Sequence, residues 1–560
     1  MVKRLLSLLH KEFTGLHEAA FLLGGFALLS QIMAVVRDRL FAQQFGAETI
    51  LDVYYASFRI PDLIFVTIAS FVAITVVMPF FIESLNKSKE DAQIFINSIF
   101  TVFFFAITLI SIIVYFFTPF LVEKFFTGFD VMTQKDVVLL TRVLLLSPIL
   151  LGISNLFASI TQTFRNFFVY ALSPVLYNVG IILGLLFFYP IYGIPGLAYG
   201  VILGALFHVL IQVPVIAAHG FLPKFSLKID LKEIKKIVIL AVPRTIGLSA
   251  QQIAFFVLTV FASSMISGSI AVLQLSFNLQ SVPLSIIGVS YSVAAFPTLA
   301  RLYSSRETKK FIEQVLTAVR HIVFWSIPIT ALFIVLRAQI VRVILGTGQF
   351  GWEDTRLTAA ALAIFSISVV AQSLVLLLVR GFYAAGKTFV PVLANLICAG
   401  LIIVSAFVLN NFLFPIPFFR YFVESLFRVE GISGTSVLSL PLAYSIGMTA
   451  NVFVLWFLFK RYFEVGHCKQ ISRSFRHSLY SAVIMGFVSY NLLEVFDNIF
   501  DINTFGGIFL QGLLSGLGGA IAGVSLLFAM KNEEIHEILK ALKHKFWKAK
   551  AIIPDKTDLS

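Results

Sequence analysis

Apolar runs of about 20 residues recur along the whole chain, each long enough to cross a hydrocarbon core of about 30 Å as a helix. They fall at 19–42, 63–85, 94–117, 137–163, 168–188, 194–217, 236–265, 270–300, 311–336, 357–382, 389–411, 435–459, 477–496 and 505–530. No stretch of soluble-domain size separates them. The pattern therefore predicts an all-α integral membrane protein with about 14 transmembrane helices.

Most of the lysines and arginines stand in every second connection. They cluster before residue 12, at Lys87 and Lys89, between Lys224 and Lys236, between Arg301 and Lys310, between Lys460 and Arg476, and after residue 530. The 494–501 connection between the last two runs holds Glu494, Asp497 and Asp501 and no base. By the positive-inside rule, both termini are expected in the cytoplasm, and an even number of spans preserves that alternation.

A weak repeat links the two halves. Pro79, Leu85, Lys89 and Glu90 are matched by Pro297, Leu302, Arg306 and Glu307, and Pro174-Val175-Leu176-Tyr177-Asn178 by Pro391-Val392-Leu393-Ala394-Asn395. Halves with an even number of spans run in the same direction, the arrangement of two parallel six-helix lobes around a central site. The expected organisation is a cytoplasmic interfacial N-terminus over 1–18, an N-lobe over 19–217 and a cytoplasmic linker over 218–235. A C-lobe over 236–459, a cytoplasmic loop over 460–476, two further helices over 477–530 and a basic amphipathic cytoplasmic tail over 531–560 follow.

Composition agrees: of 560 residues 59% are hydrophobic, 13% are charged and 61 are Phe, against roughly 25% charged in soluble proteins. The net charge of +13 follows from the loop lysines and arginines, so topology accounts for it and no nucleic acid is expected as a partner. Two cysteines, Cys398 and Cys468, do not make a disulfide framework. Gly196, Gly200 and Gly204, and Gly512, Gly516, Gly519 and Gly523, are spaced for close helix approach. The aromatic 412–431 connection is expected to anchor at the membrane surface.

Metal, phosphate-loop and nucleophile motifs are lacking, so the sequence reads as a transporter and not an enzyme, with no cofactor. One stretch differs from the rest. Between Gln31 and Pro79, Arg37, Asp38, Arg39, Asp52, Arg59 and Asp62 lie among apolar runs, where ionisable groups are costly and mark a pathway or pocket. Arginine forks suit a phosphate or diphosphate, and Asp38 and Asp52 are candidates to hold them in place; the competing reading is a set of interfacial anchors and helix-end pairs.

This stretch, with Val36-Arg37-Asp38, Phe45-Gly46-Ala47, Asp52 and Ala56-Ser57-Phe58-Arg59-Ile60-Pro61-Asp62, resembles the opening signature of the MurJ (MviN) lipid II flippases of the MOP transporter superfamily. Ser267-Gly268-Ser269, Phe296-Pro297-Thr298-Leu299, Gly346-x-Gly348-x-Phe350 and Gly381-Phe382-Tyr383-Ala384 also fit. The resemblance implies a carrier whose cationic cavity binds the head of a polyprenyl-diphosphate-linked glycan lipid, lipid II, and takes it from the inner to the outer leaflet by alternating access. It implies a groove for the polyprenyl tail at the last two helices and coupling to membrane potential or a monovalent cation. Location in the bacterial inner membrane, among cell-wall synthesis proteins, follows from it too.

Departures from the family pattern bear on the substrate. Gln31 and Asn278 stand where the family has arginines, and Phe65-Val66 where it has a basic pair. The expected substrate-binding set is Arg37, Asp38, Asp52, Arg59, Gln31 and Asn278, the last two as neutral hydrogen-bonding groups. Arg142, Arg244 and Arg320 are candidate replacement bases or partners of neighbouring helices. A carrier for another polyprenyl-diphosphate-linked oligosaccharide and a non-transporting cell-wall scaffold are the alternatives.

Overall fold

A computed structural model describes residues 16–537 apart from 227, 228, 230, 467 and 468; the side chains at 16–21, 70, 74, 75, 231, 232, 240, 243 and 244 are not described. The expected interfacial segment over 1–18 and the tail beyond 537 thus fall largely outside the described residues. So does the side chain of Arg244.

The described chain is helical from end to end. It opens with α1 (Leu16–Phe45), α2 (Thr49–Ser57), α3 (Arg59–Ile68), a single 3-10 turn and α4 (Ile74–Lys87). Next come α5 (Lys89–Phe125), α6 (Val131–Leu144), α7 (Leu146–Thr163), α8 (Phe167–Leu183), α9 (Tyr189–Tyr192), α10 (Ile194–Leu210) and α11 (Val213–His219). The second half holds α12 (Leu231–Ser263), α13 (Ser269–Leu284), α14 (Ser290–Ser304), α15 (Thr308–Val335), α16 (Arg337–Ile344) and α17 (Trp352–Ala384). It closes with α18 (Phe389–Val408), α19 (Pro417–Phe427), α20 (Ser439–Phe463), α21 (Lys469–Asp497) and α22 (Phe505–Ala529).

Among the described residues, 12 helical stretches are long and apolar enough to cross a membrane, and they correspond to the third to fourteenth runs of the sequence. The first two runs are helical but atypical. α1 carries the charged Arg37-Asp38-Arg39 in its last third, and the second run is preceded by a break after Ser57 and interrupted at Ala69–Val72.

Capping fits the sequence. Ser88 accepts from Asp91 N (3.0 Å) to start α5, and Thr504 accepts from Gly507 N (3.1 Å) to start α22. Asp130, exposed in the connection before α6, accepts from Met132 N (3.0 Å) and from the Thr133 hydroxyl; these bonds, led by that of Thr133, hold its carboxyl below the usual range. α19 forms within the aromatic connection, with Phe418, Tyr421, Phe422 and Leu426 exposed on it, as an interfacial helix requires.

The helices belong to two compact units. The first takes in the chain up to Val282 with Ile340–Ser368 and Gly386–Leu458, and the second takes in Pro283–Gln339, Val369–Ala385 and the chain from Phe459. In the first unit, α8 packs against α1 and α10. A Cβ on Gly200 of α10 would stand 2.4 Å from Gly184 Cα, and one on Gly180 of α8 would stand 2.2 Å from Gly204 Cα. The backbones are therefore in direct contact, and the glycines serve close packing. Aromatic clusters fill the rest of this unit, with Phe255, Phe277, Phe365 and Tyr444 stacked edge to face or tilted.

In the second unit, α21 packs against α15 and α22, and a Cβ on Gly519 would meet Ser489 Oγ at 2.0 Å. Phe311, Phe382, Phe459 and Phe463 form its aromatic cluster. Gly200→Ala is expected to lower the melting temperature of the detergent-purified protein, because the added methyl forces α10 away from the 180–188 segment. Gly400→Ala, at a position with nothing within 4 Å of the new Cβ, is expected to leave it unchanged or raise it slightly.

Candidate functional site

The charged stretch folds into the first unit, where hydrogen bonds join Arg37, Asp38 and Arg59 in one line. Asp38 is 5% exposed, Asp52 2% and Arg59 8%, although each is ionisable. Burial at that level demands partners for every charge.

Arg37 and Asp38 supply them first to each other. The Arg37 guanidinium donates twice to Asp38 Oδ1, from Nε (3.0 Å) and from a terminal nitrogen (2.8 Å). Its other terminal nitrogen donates to Asn178 Oδ1 on α8 (3.0 Å). Asp38 then uses its second oxygen to accept from Asn278 Nδ2 on α13 (2.9 Å). Asn278 in turn accepts from Gln274 Nε2 (2.7 Å), and Gln274 Oε1 accepts from Arg59 on α3 (2.5 Å). One unbroken line of side chains thus runs Asn178, Arg37, Asp38, Asn278, Gln274, Arg59, and joins α1, α3 and α8 to α13.

Both arginines line a cavity of about 140 Å³ with Tyr54, Tyr55, Phe58, Asp62, Tyr177, Ile181, Gln274 and Asn278. Arg59 lies with its guanidinium 4.8 Å from the Phe255 ring centroid, and its Nε has no hydrogen-bond partner. Asp62 forms no ion pair among the described residues. The cavity therefore presents two guanidinium groups, one carboxylate, two amides and phenolic rings, a donor-rich wall suited to phosphate and hydroxyl groups.

Asp52 does something the sequence reading did not expect. Among the described residues it meets no arginine; its two oxygens accept from Gly268 N (2.7 Å) and Ala271 N (2.8 Å) at the start of α13. A carboxylate there satisfies otherwise orphaned amides and complements the positive end of the helix dipole. Around it, residues 39–52 are fastened to two connections of the second half. Thr49 and Ser267 hydroxyls are 2.7 Å apart, Gln349 N donates to Gln43 O (3.0 Å), and Arg39 donates to Val343 O (2.5 Å) and Ile344 O (3.2 Å) at the end of α16.

Backbone contact at this seam is so close that it needs glycine. Gly268 has φ +87° and a Cβ there would fall 1.8 Å from Ala47 O; Gly348 has φ +60° and its Cβ would fall 2.2 Å from Gln43 O. The Phe45-Gly46-Ala47, Ser267-Gly268-Ser269 and Gly346-x-Gly348 motifs are thus one seam.

The other expected residues are placed as follows. Gln31, half-buried on α1, is not among the residues lining the cavity. Arg320, in the second unit, pairs with Glu533 (3.3 Å), Glu534 (3.7 Å) and Glu537 (3.6 Å), so it braces the chain beyond α22. Arg142 lies over the Tyr115 ring, 4.7 Å from its centroid. Gln274 and Asn178 were missed by sequence reasoning. Asn178 stood in the repeated Pro-Val-Leu motif, and Gln274 lies one helical turn before Asn278, which were the only signals available.

Comparison with known proteins bears on this site. The family model for lipid II flippase MurJ matches residues 41–510. A probable lipid II flippase MurJ from Buchnera aphidicola subsp. Acyrthosiphon pisum is 29% identical over 380 residues, covering 66% of this chain and 73% of its relative. A lipid II flippase MurJ from Burkholderia cenocepacia is 24% identical over 408 residues, covering 71% and 78%. A solved lipid II flippase MurJ in an inward closed conformation shares the fold, with TM-score 0.72 and 23% identity over 91% of this chain and 99% of that one. An inward-facing multidrug resistance MATE family transporter of the MOP superfamily follows at TM-score 0.62 and 14% identity, over 79% and 95%. With the family model matched through both halves of the chain, this protein belongs to the lipid II flippase MurJ family.

Proposed function

We propose that this protein is a carrier, not an enzyme, that moves the head group of lipid II across the bacterial inner membrane by alternating access. The observation that carries the reading is the cavity in which Arg37 and Arg59 both present guanidinium groups, linked by a polar line that ties α1 to α13. Membership of the MurJ family supplies the substrate; the departures at Gln31 and Asn278 leave the diphosphate to these two arginines.

In this reading protein groups bond the two arginines in place of the substrate. Asp38 and Asn178 occupy the Arg37 fork, and Gln274 occupies Arg59. An arriving diphosphate competes for both guanidinium groups with charge-assisted bonds. Once Arg37 turns to phosphate, Asp38 is left buried without its counter-charge, a cost relieved when water reaches it as α1 parts from α13. Binding is thus coupled to opening of the seam around Asp52, because only the state with free arginines gains the phosphate contacts.

The bodies that rock are the expected N-lobe (19–217) and C-lobe (236–459), with 477–530 receiving the polyprenyl tail. Both termini lie in the cytoplasm, as the lysine and arginine distribution supports, which puts the Asp52 seam on the outer side. Membrane potential or a monovalent cation drives the cycle. Gln31 is too far down α1 to line the cavity as it stands, and meets the head group only if the site enlarges.

Two outcomes test this reading. The parent chain should rescue a bacterium depleted of its own flippase, and Arg37→Ala at equal expression should not; lipid II binding should weaken about 10- to 100-fold, the equivalent of one charged hydrogen bond at roughly 1.5–3 kcal/mol. Rescue by Arg37→Ala would remove Arg37 from the substrate site. Asp52→Ala should lower the melting temperature by leaving two amides of α13 unpaired, at about 1–3 kcal/mol, and Asp52→Asn should do so less, since it keeps one acceptor. Equal melting of Asp52→Ala and parent would show that the cap does not hold the seam.

A further inference from the structure

A second cavity lies in the first unit, and it shares no residue with the Arg37 site. It is a groove of about 750 Å³ between α5, the α6–α7 pair and α10, within the roughly 300–1,000 Å³ range of ligand sites. Its walls are chiefly aliphatic and aromatic, with Ile112, Leu146 and Ile202 among them. Besides the phenols of Tyr115 and Tyr199, three polar side chains interrupt them: Thr108, Ser111 and Arg142.

Each of the three lacks something. The hydroxyls of Thr108 and Ser111 are buried and have no hydrogen-bond partner, although a helical Ser or Thr ordinarily bonds the carbonyl four residues back. Arg142 donates its Nε to Tyr115 O (3.2 Å) and rests on the Tyr115 ring, but forms no ion pair among the described residues. Its position makes the missing counter-charge more telling. α6 begins at Val131 with the polar Thr133, Gln134, Lys135 and Asp136, then turns apolar from Val137. Arg142 comes six residues after Asp136, about 9 Å further along the helix axis, just inside the apolar layer. A cation at that depth marks a binding site by default, and its partner remains to be named.

We infer that the groove binds one anionic glycerophospholipid, with an acyl chain along the apolar wall, the phosphate on the Arg142 guanidinium and the ester oxygens within reach of Thr108 and Ser111. Charge decides the occupant. A single guanidinium without a carboxylate matches one phosphodiester of net negative charge; a zwitterionic lipid brings its own cation and leaves Arg142 no better neutralised. A diphosphate would call for a second base, and the groove offers one only. The site is thus a lipid site separate from the proposed path of the transported head group, and its occupant fixes α5 against α10.

Native mass spectrometry of the full chain, purified in an uncharged detergent and stripped of lipid, tests this with phosphatidylglycerol and phosphatidylcholine as probes. The parent should retain one phosphatidylglycerol at least five-fold more tightly than phosphatidylcholine, with a rise in melting temperature on binding. Arg142→Gln should lose that preference, and Ile202→Trp, which fills the groove and keeps the arginine, should lose the bound lipid while melting as the parent does without lipid. Equal retention of the two lipids by the parent, or unchanged preference in Arg142→Gln and Ile202→Trp, would mean adventitious boundary lipid only. Displacement of phosphatidylglycerol by an equimolar polyprenyl diphosphate that itself fails to bind Ile202→Trp would assign the groove to the transported lipid and overturn the proposal.

Discussion

Asp38, buried inside an apolar bundle, is stable as a carboxylate only while its charge is answered, and its ion pair with Arg37 is the point on which this site depends. Asp38 serves two partners at once, Arg37 on its own helix and Asn278 on α13. Without Arg37, the carboxylate would be buried and unpaired, a larger penalty than the loss of the pair itself. Without Asp38, Arg37 would keep only Asn178 among the protein groups it bonds here. Neighbouring amides extend the arrangement to Arg59, so that a change at one arginine is transmitted through neutral side chains able to donate and accept at the same time.

The seam around Asp52 works by different means. Here the partners are mostly backbone: amides at the start of α13, the Gln43 and Ala47 carbonyls, and the carbonyls that end α16. Backbone contacts at glycine distance give little room for partial opening, because a small shift breaks several bonds together. A seam of this kind has two states rather than a continuum, which suits a gate. The side-chain line through Asp38 is more adaptable, as a ligand-responsive element should be.

Much of the fold could be read from the sequence because hydrophobic length is a strong signal: the last twelve apolar runs coincide with helices long enough to span. The breaks around Phe58 and Ala69–Val72 could not, since run length does not mark them. At the site, Arg37, Asp38 and Arg59 were identifiable as charged residues out of place in an apolar context and Asn278 through the family resemblance, and hydrogen bonds link them. Asp52 was found for the same reason and given the wrong partner, because backbone amides that donate to a carboxylate leave no mark in the sequence that carries them. Gln274 and Asn178, neutral and common, had nothing to set them apart. The glycines of the seam were visible as motifs, yet only the placement of Gly268 against Ala47 and of Gly348 against Gln43 explains why those positions carry no side chain.

The central claim is that the seam must open for the carrier to work. Cysteines replacing Thr49 and Ser267, whose hydroxyls are 2.7 Å apart, would bring two thiols together across it. In a flippase-depleted strain rescued by the parent chain, oxidising this double variant should abolish rescue, and reductant should restore it, while each single cysteine supports growth under both conditions. Growth sustained by the fully crosslinked protein would contradict the account, since a chain that works with the seam locked does not carry its substrate by alternating access.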